Sequence, residues 1–291
     1  MDLEYLIRRY FVVLVVAILA IVLFGLFYVV PMIYLLRTSF WHYSPTLVGA
    51  KGFMEPAFTL ENYSLALTGA YLNDIIVTLR IGLVCTVAAV LLSYPVAYWI
   101  ARWNGHARLK RIVLVTLIAS FLVGSIARVF AWYSMLTGQG FIDAVIAFFG
   151  FAKLRFIGTE FAIDICQTQY LMSIATLSLV SPLKNVDPRL EEASKSLGAE
   201  EVRTFIRVTL PLTLPGIVAA SLLCFAVTVS AFVTPMVLGA GGILMVSNLV
   251  SSYFLEISNY PLASAFAVVL LLASFVAMYA LEKFLLSMVR R

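Results

Sequence analysis

The sequence predicts an all-α membrane protein: a bundle of six spanning helices with both termini in the cytoplasm. Three observations lead there. Of 291 residues, 63% are apolar and 12% charged, with a mean hydropathy of +1.02; a soluble domain carries roughly 45–50% apolar and about 25% charged residues. Uncharged stretches recur that are long enough to cross a hydrocarbon layer, which takes about 20 helical residues at about 1.5 Å each. Basic residues collect in alternate connecting segments. A β-barrel would instead show segments of roughly ten residues alternating apolar and polar, and these stretches are apolar all round.

The spans follow in order. Tyr10 to Leu36 runs 27 residues without Asp, Glu, Lys or Arg, Ile81 to Ala101 runs 21, Ile165 to Leu183 runs 19 and Ile257 to Leu281 runs 25. Ile112 to Ala127 is uncharged for 16 residues, and beyond Arg128 the apolar run resumes through Val129 to Leu136, which reads as one helix with a buried cation. Val208 to Leu255 is long enough for two spans. Pro211, Pro215, Gly216, Pro235, Gly239, Gly241 and Gly242 break it up, leaving one span and a Gly-rich return. The expected helices are 10–36, 74–101, 112–136, 162–183, 214–238 and 260–284, in a single domain over 1–291. Arg8 and Arg9 before the first apolar run could mark a signal peptide. The run is too long for an h-region of about 7 to 15 residues and no small-x-small cleavage site follows, so it is read as a retained helix.

Orientation follows from the cations outside the spans. Fourteen, from Arg8 and Arg9 through Arg102, Arg108, Lys110 and Arg111 to Lys184, Arg203, Arg207 and the C-terminus, fall on one side; Arg37, Lys51, Lys153 and Arg155 fall on the other. The positive-inside rule places both termini in the cytoplasm. The net charge of +5 is then a topology signal and excludes a nucleic-acid partner, which would need a basic face on a soluble domain. Cys85, Cys166 and Cys224 are odd in number, lie in apolar segments and lack C-x-x-C spacing, so they read as packing residues. His42 and His106 fall on opposite predicted sides, which excludes a histidine metal cluster.

The segment between the fourth and fifth helices is organised. Asp187–Pro188 is an N-cap and first-turn signature, and Leu190, Ala193 and Leu197 repeat at helical spacing as one apolar face. Gly198 stands where a left-handed C-terminal cap belongs, giving a helix over 188–198. A second helix is expected from about Glu200, ended by Pro211. From periodicity alone, the first helix could equally be an interfacial anchor.

Glu192-Ala193-Ser194, three residues, Gly198, nine residues, Val208, then Leu210-Pro211 resembles the EAA loop of ABC importer permeases, E-A-A-x3-G-x9-I-x-L-P. Ser194 replaces the second Ala and Val208 the Ile. Arg128 with Ala131, Trp132, Leu136 and Gly140, Glu160-Phe161-Ala162, TLPLTLPG from Thr209, FVTPMVLG from Phe232 and NYPLASA from Asn259 are similar to the spermidine/putrescine-type subgroup. Met172 to Leu183 lacks the early Pro of that subgroup. The resemblance implies a type I ABC importer permease that forms the path for a small solute, a polyamine or a related organic cation or amino-acid-like compound. It also implies as partners two cytoplasmic ATPase subunits holding ATP and Mg, a second permease, a periplasmic substrate-binding protein and membrane lipid, in a bacterial inner membrane. Leu190, Glu191, Glu192, Ala193, Ser194, Lys195, Leu197 and Gly198 would form the helix that couples to the ATPase, with the apolar ridge docking and Glu191, Glu192 and Lys195 pairing at its rim.

No G-x-x-x-x-G-K, G-x-S-x-G or H-E-x-x-H pattern is present, so the chain is read as a transport subunit without a catalytic or metal site. Arg80, Arg128 and Asp164 fall near the outer ends of helices, where a charge at the bilayer centre costs roughly 2.5–3.5 kcal/mol. They line an outer gate or path, or form a structural pair such as Arg128 with Asp164, or snorkel to headgroups. Tyr253 and Glu256 are further path candidates for a cationic solute. Trp41, Trp99, Trp103 and Trp132 read as interfacial belt residues. The competing reading is an ion-gradient-driven secondary transporter, which predicts acids near the midplane and broken helices in repeated halves. A structural or enzyme-anchoring subunit would leave the organised loop unexplained.

Overall fold

A computed structural model describes residues 3–44, 53–103, 105, 107–138, 140–149 and 155–289. Lys51, His106, Lys153, Arg290 and Arg291 lie outside them. In chain order the elements are α1 (Leu3–Phe24), a π-turn (Gly25–Val29), α2 (Val30–Thr38), β1 (His42–Ser44), β2 (Phe53–Glu55), α3 (Glu61–Ala66), α4 (Gly69–Arg102), α5 (Ala107–Leu122), α6 (Ser125–Leu136), α7 (Phe141–Phe148), α8 (Glu160–Asn185), α9 (Pro188–Ser196), α10 (Glu201–Thr204), a π-turn (Phe205–Thr209), α11 (Leu210–Val229), α12 (Val233–Leu238), α13 (Val246–Ser251), a π-turn (Ser252–Glu256) and α14 (Tyr260–Val289). They divide into two units: residues 1–68 with 250–269, and residues 69–249 with 270–291.

In the first unit, α1, the π-turn and α2 run on as one helix whose Leu14–Leu36 stretch is apolar on every side, and no residue from Leu14 to Arg37 is buried within the chain. Antiparallel β1 and β2 pair His42 with Glu55 and Ser44 with Phe53. The turn into them is held by Asn62, whose Nδ2 donates to the carbonyls of Ser39 (3.0 Å) and Trp41 (2.8 Å).

The second unit is built on α4, α8 and α11. Lipid tails are as apolar as leucine, so helices in a membrane gain little by burying leucines and associate instead through close contact of small residues. Gly82, Ala89 and Ala97 on α4, Ala162 and Ala175 on α8, and Gly216 and Ala220 on α11 are buried. Gly82 faces Phe225 and Val229, where an added Cβ would stand 2.9 Å from each; Gly216 faces the Pro182 ring. Polar pairs cross the same contacts, Ser93 Oγ donating to Met172 O (3.1 Å) and Tyr94 Oη sharing a hydrogen bond with Thr213 Oγ1 (2.8 Å), and Thr234 Oγ1 of α12 donates to Gln167 Oε1 of α8 (3.0 Å). Cys85, Cys166 and Cys224 are free and buried here.

Several helix bounds differ from the sequence expectation, each for a local reason. The 112–136 segment is two helices, bent by 101° between α5 and α6. Gly124, extended at ψ 147°, caps α6 and breaks the run. Pro211 does not end a helix: Glu201–Val229 is continuous. The π-turn widens the helix around Arg207, whose carbonyl the Pro211 ring would otherwise strike, and Leu210 N–H reaches back to Phe205 O. Pro31 stands in the same relation to the π-turn Gly25–Val29. The span expected to reach 238 stops at Val229. Carbonyls freed there are taken up by α13, Ser247 Oγ donating to Ala231 O (2.6 Å) and Asn248 Nδ2 to Phe232 O (3.1 Å).

Among the described residues four helices are long and apolar enough to cross a membrane: Leu14–Thr38, Gly69–Arg102, Glu201–Val229 and Tyr260–Ser287, or five if α5 and α6 are one bent span. With 26 residues, α8 has the length but is more polar. It packs against α4 and α11, and Gln167, Ser173 and Thr176 are buried.

Replacing Gly82 with Ile should destabilise the α4–α11 contact by about 1–3 kcal/mol, read as a lower unfolding temperature of the purified protein in detergent. An unchanged melting temperature would contradict this packing.

Candidate functional site: the α9 helix and its latch

Helix α9 is held at both ends by its own backbone. Asp187 Oδ1 accepts the Arg189 N–H (2.9 Å) at the N-terminus, and Pro188 takes the first helical position, where no N–H is needed. At the other end, Gly198 N–H goes to Lys195 O (2.9 Å) and Ala199 N–H to Ser194 O (3.2 Å), the paired bonds of a Schellman cap. That cap needs a left-handed residue, and Gly198 has φ +84°.

One side of α9 is tied to the unit it belongs to. Glu191 Oε1 accepts from Arg102 Nη2 (2.9 Å), at the end of α4, and from Thr209 Oγ1 (2.8 Å), in the π-turn before α11. Arg102 Nη1 donates to Val186 O (2.9 Å), closing the link to the end of α8. Both side chains of the ion pair are only 14% exposed, so it is screened far less than a surface pair. Ser194 Oγ shares a hydrogen bond with Thr204 Oγ1 (3.0 Å) on α10. The departure from the family Ala therefore supplies a bond.

The neighbouring face carries Leu190, Ala193 and Leu197, all exposed, Leu197 to 90%. Glu192 is exposed beside them, and Lys195 Nζ bonds exposed Glu201 Oε1 (2.9 Å). The hydrogen bond from Lys195, with its charge, holds the Glu201 carboxyl below the ordinary carboxylate range. Any stabilisation from that pair is present above the usual carboxylate pKa and lost as pH falls through the lowered one. Glu191 thus differs from the expectation of a rim charge: it faces inward and fixes the helix. The sequence reading counted Arg102 as a topology residue, and no local pattern links it to Glu191, 89 positions away.

The charged residues of the spans are arranged otherwise than as an Arg128–Asp164 pair. Arg80 pairs with Glu160, joining α4 to α8. Asp164 Oδ1 accepts from Cys85 Sγ (3.3 Å). Arg128, 8% exposed, sends Nη1 to Val123 O (3.1 Å), a carbonyl released by the α5–α6 break, and lays its guanidinium 3.9 Å from the Tyr170 ring centroid. Tyr253 and Glu256 lie on the π-turn of the first unit, with Tyr253 against Phe266 and Glu256 Oε2 accepting from Ser252 Oγ (2.8 Å). Asp143 on α7, not singled out from sequence, is buried with both carboxyl oxygens unpartnered.

Glu191→Ala should loosen α9 by about 1.5–3 kcal/mol, the scale of a hydrogen bond to a charged group, seen as faster amide exchange over 188–198. Lys195→Ala should leave that exchange unchanged; equal effects would contradict the latch.

No family model matches the chain. In sequence it is 29% identical over 220 residues to the spermidine/putrescine transport system permease protein PotB of Escherichia coli K12, covering 75% of this chain and 79% of that protein. It is also 29% identical over 244 residues to PotB of Haemophilus influenzae, covering 83% of each. With the inner membrane ABC transporter permease protein YdcU of Escherichia coli K12 it shares 26% over 259 residues, 84% of this chain and 81% of that one. Its fold matches a chain of the bacterial alginate ABC transporter solved in complex with an alginate pentasaccharide-bound periplasmic protein, with a TM-score of 0.77 at 13% identity over 96% of this chain and 95% of that one. In sequence and fold together, the chain is a homologue of the ABC transporter permeases, a multi-pass component of a bacterial inner-membrane transport system rather than an enzyme.

Proposed function

We propose that the chain forms half of the translocation path of an importer for a small organic cation of the polyamine type, and that α9 is its coupling helix. What supports the coupling role is a helix pinned from one face through Glu191 and Ser194 while its apolar ridge, Leu190, Ala193 and Leu197, stands exposed. An apolar ridge with charges at its rim is the surface that docks into a protein cleft. The polyamine assignment is supported by the likeness to PotB over three quarters of the chain. In this reading six helices span, the α5–α6 pair and polar α8 included, and both termini are cytoplasmic by the distribution of basic residues. Two ATPases holding ATP and Mg grip α9 and its counterpart on a second permease, and a periplasmic binding protein delivers the solute. The Asp164 carboxylate belongs to the path that meets the cation.

Energy reaches the path mechanically. ATP-driven closure of the ATPases moves α9, and its bonds to the ends of α4 and α8 and to the π-turn before α11 carry that motion into the three central helices. Gly198→Asp forces a side chain into φ +84°. It should abolish ATP-driven uptake of labelled spermidine and putrescine while the protein still inserts, and normal uptake would overturn the coupling assignment. Glu192→Lys, which reverses a charge beside the ridge, should reduce the ATPase recovered with the permease from membranes; undiminished recovery would contradict docking at this face.

A further inference from the structure

We propose that the elbow between α5 and α6 is a binding site for an oxyanion, a carboxylate or a phosphate group. A cavity of about 180 Å³ opens there, lined by Ser120 and Val123 of α5 and the linker, Arg128, Ala131, Trp132 and Met135 of α6, and Gln169 of α8. Its charged wall is the Arg128 guanidinium. That group is more than nine-tenths buried and sits in an apolar stretch of helix, the setting in which an unbalanced charge is least tolerated.

Its partners are all neutral. Nη1 donates to the Val123 carbonyl, the guanidinium stacks on the Tyr170 ring, and the Cys166 thiol lies beside it. Nε has no hydrogen-bond partner. Among the described residues no carboxylate comes within ion-pair distance of Arg128. Tyr170 is itself backed by Phe121, with ring centroids 6.1 Å apart and planes at 1°, so the cation is fixed in orientation as well as position. Gln169 Nε2 bonds Ser120 Oγ (2.5 Å) on the adjacent wall, which places amide and hydroxyl groups around the same space. A planar guanidinium held rigid beside polar groups in a cavity is the arrangement that recognises carboxylate and phosphate oxygens. The volume of about 180 Å³ admits one such group.

Two sources could supply that group: the headgroup phosphate of an anionic lipid, or a carboxylate or phosphate on a soluble molecule. The test uses the permease purified with its partners in dodecyl maltoside, which carries no phosphate or carboxylate. One arm adds phosphatidylglycerol to the micelles; the other adds no lipid but sodium acetate or inorganic phosphate against sodium chloride at matched ionic strength. A ligand that binds only the folded state raises Tm, here by a few degrees. A rise with phosphatidylglycerol alone identifies a lipid headgroup, and a rise with acetate or phosphate identifies a soluble oxyanion. In either case the rise must vanish in Arg128→Gln and in Ala131→Phe, which fills the cavity and keeps the guanidinium, so that a failure of Arg128→Gln to fold leaves the test intact. No rise in either arm, or the same rise in Ala131→Phe, overturns the proposal. Neither arm reads uptake, so the result is independent of the polyamine assignment.

Discussion

Lipid gives no reward for burying one leucine against another, and that constraint shapes the unit on which α9 rests. Where α4, α8 and α11 meet, small residues stand among large ones such as Leu171, Leu179 and Phe225 and let the helices approach, and an added Cβ at Gly82 or Gly216 would collide with Phe225 or Pro182. Buried polar side chains bond across here as well, Tyr94 of α4 with Thr213 of α11 and Gln167 of α8 with Thr234 of α12. Each is satisfied inside the protein because the surroundings offer no water to replace it. Close contact also makes the three helices a stiff body, which is what a motion imposed at one end requires.

The same economy governs the broken places. Carbonyls freed at the α5–α6 bend and beyond α11 are met by Arg128, Ser247 and Asn248, and the helix stays continuous through Pro211 by widening into a π-turn. That π-turn carries Thr209, whose hydroxyl holds Glu191 together with the Arg102 guanidinium. A feature that lets the helix tolerate proline thus also provides an attachment for α9. The latch and the exposed ridge lie on neighbouring faces of one short helix, so force applied to the ridge is passed to the ends of α4 and α8 and the start of α11.

Local features were legible in the sequence wherever a few neighbouring residues decide them. Asp187–Pro188, the spacing of Leu190, Ala193 and Leu197, and Gly198 specify a capped helix without reference to the rest of the chain. What the sequence could not display were pairings set by the fold. Glu191 reads as a surface charge because its partner Arg102 is remote, and depth alone leaves Arg128 open to a path role, a pair with Asp164 or snorkelling, whereas the break at Gly124 turns it towards Val123 and Tyr170. The polarity of α8 is hidden because its Ile165–Leu183 stretch has no charge: an uncharged run need not be apolar when Gln167 and Thr176 are buried against other helices.

The central claim is that the ridge of α9 is the contact surface of a motor subunit, and it is tested most directly by a photo-reactive benzoylphenylalanine placed at Leu197 in native membranes. Irradiation should join the chain to an ABC ATPase, with the yield changing between the ATP-bound and nucleotide-free states. Adducts with lipid alone, under conditions where the chain is inserted and folded, would contradict the account and return α9 to the role of an interfacial anchor.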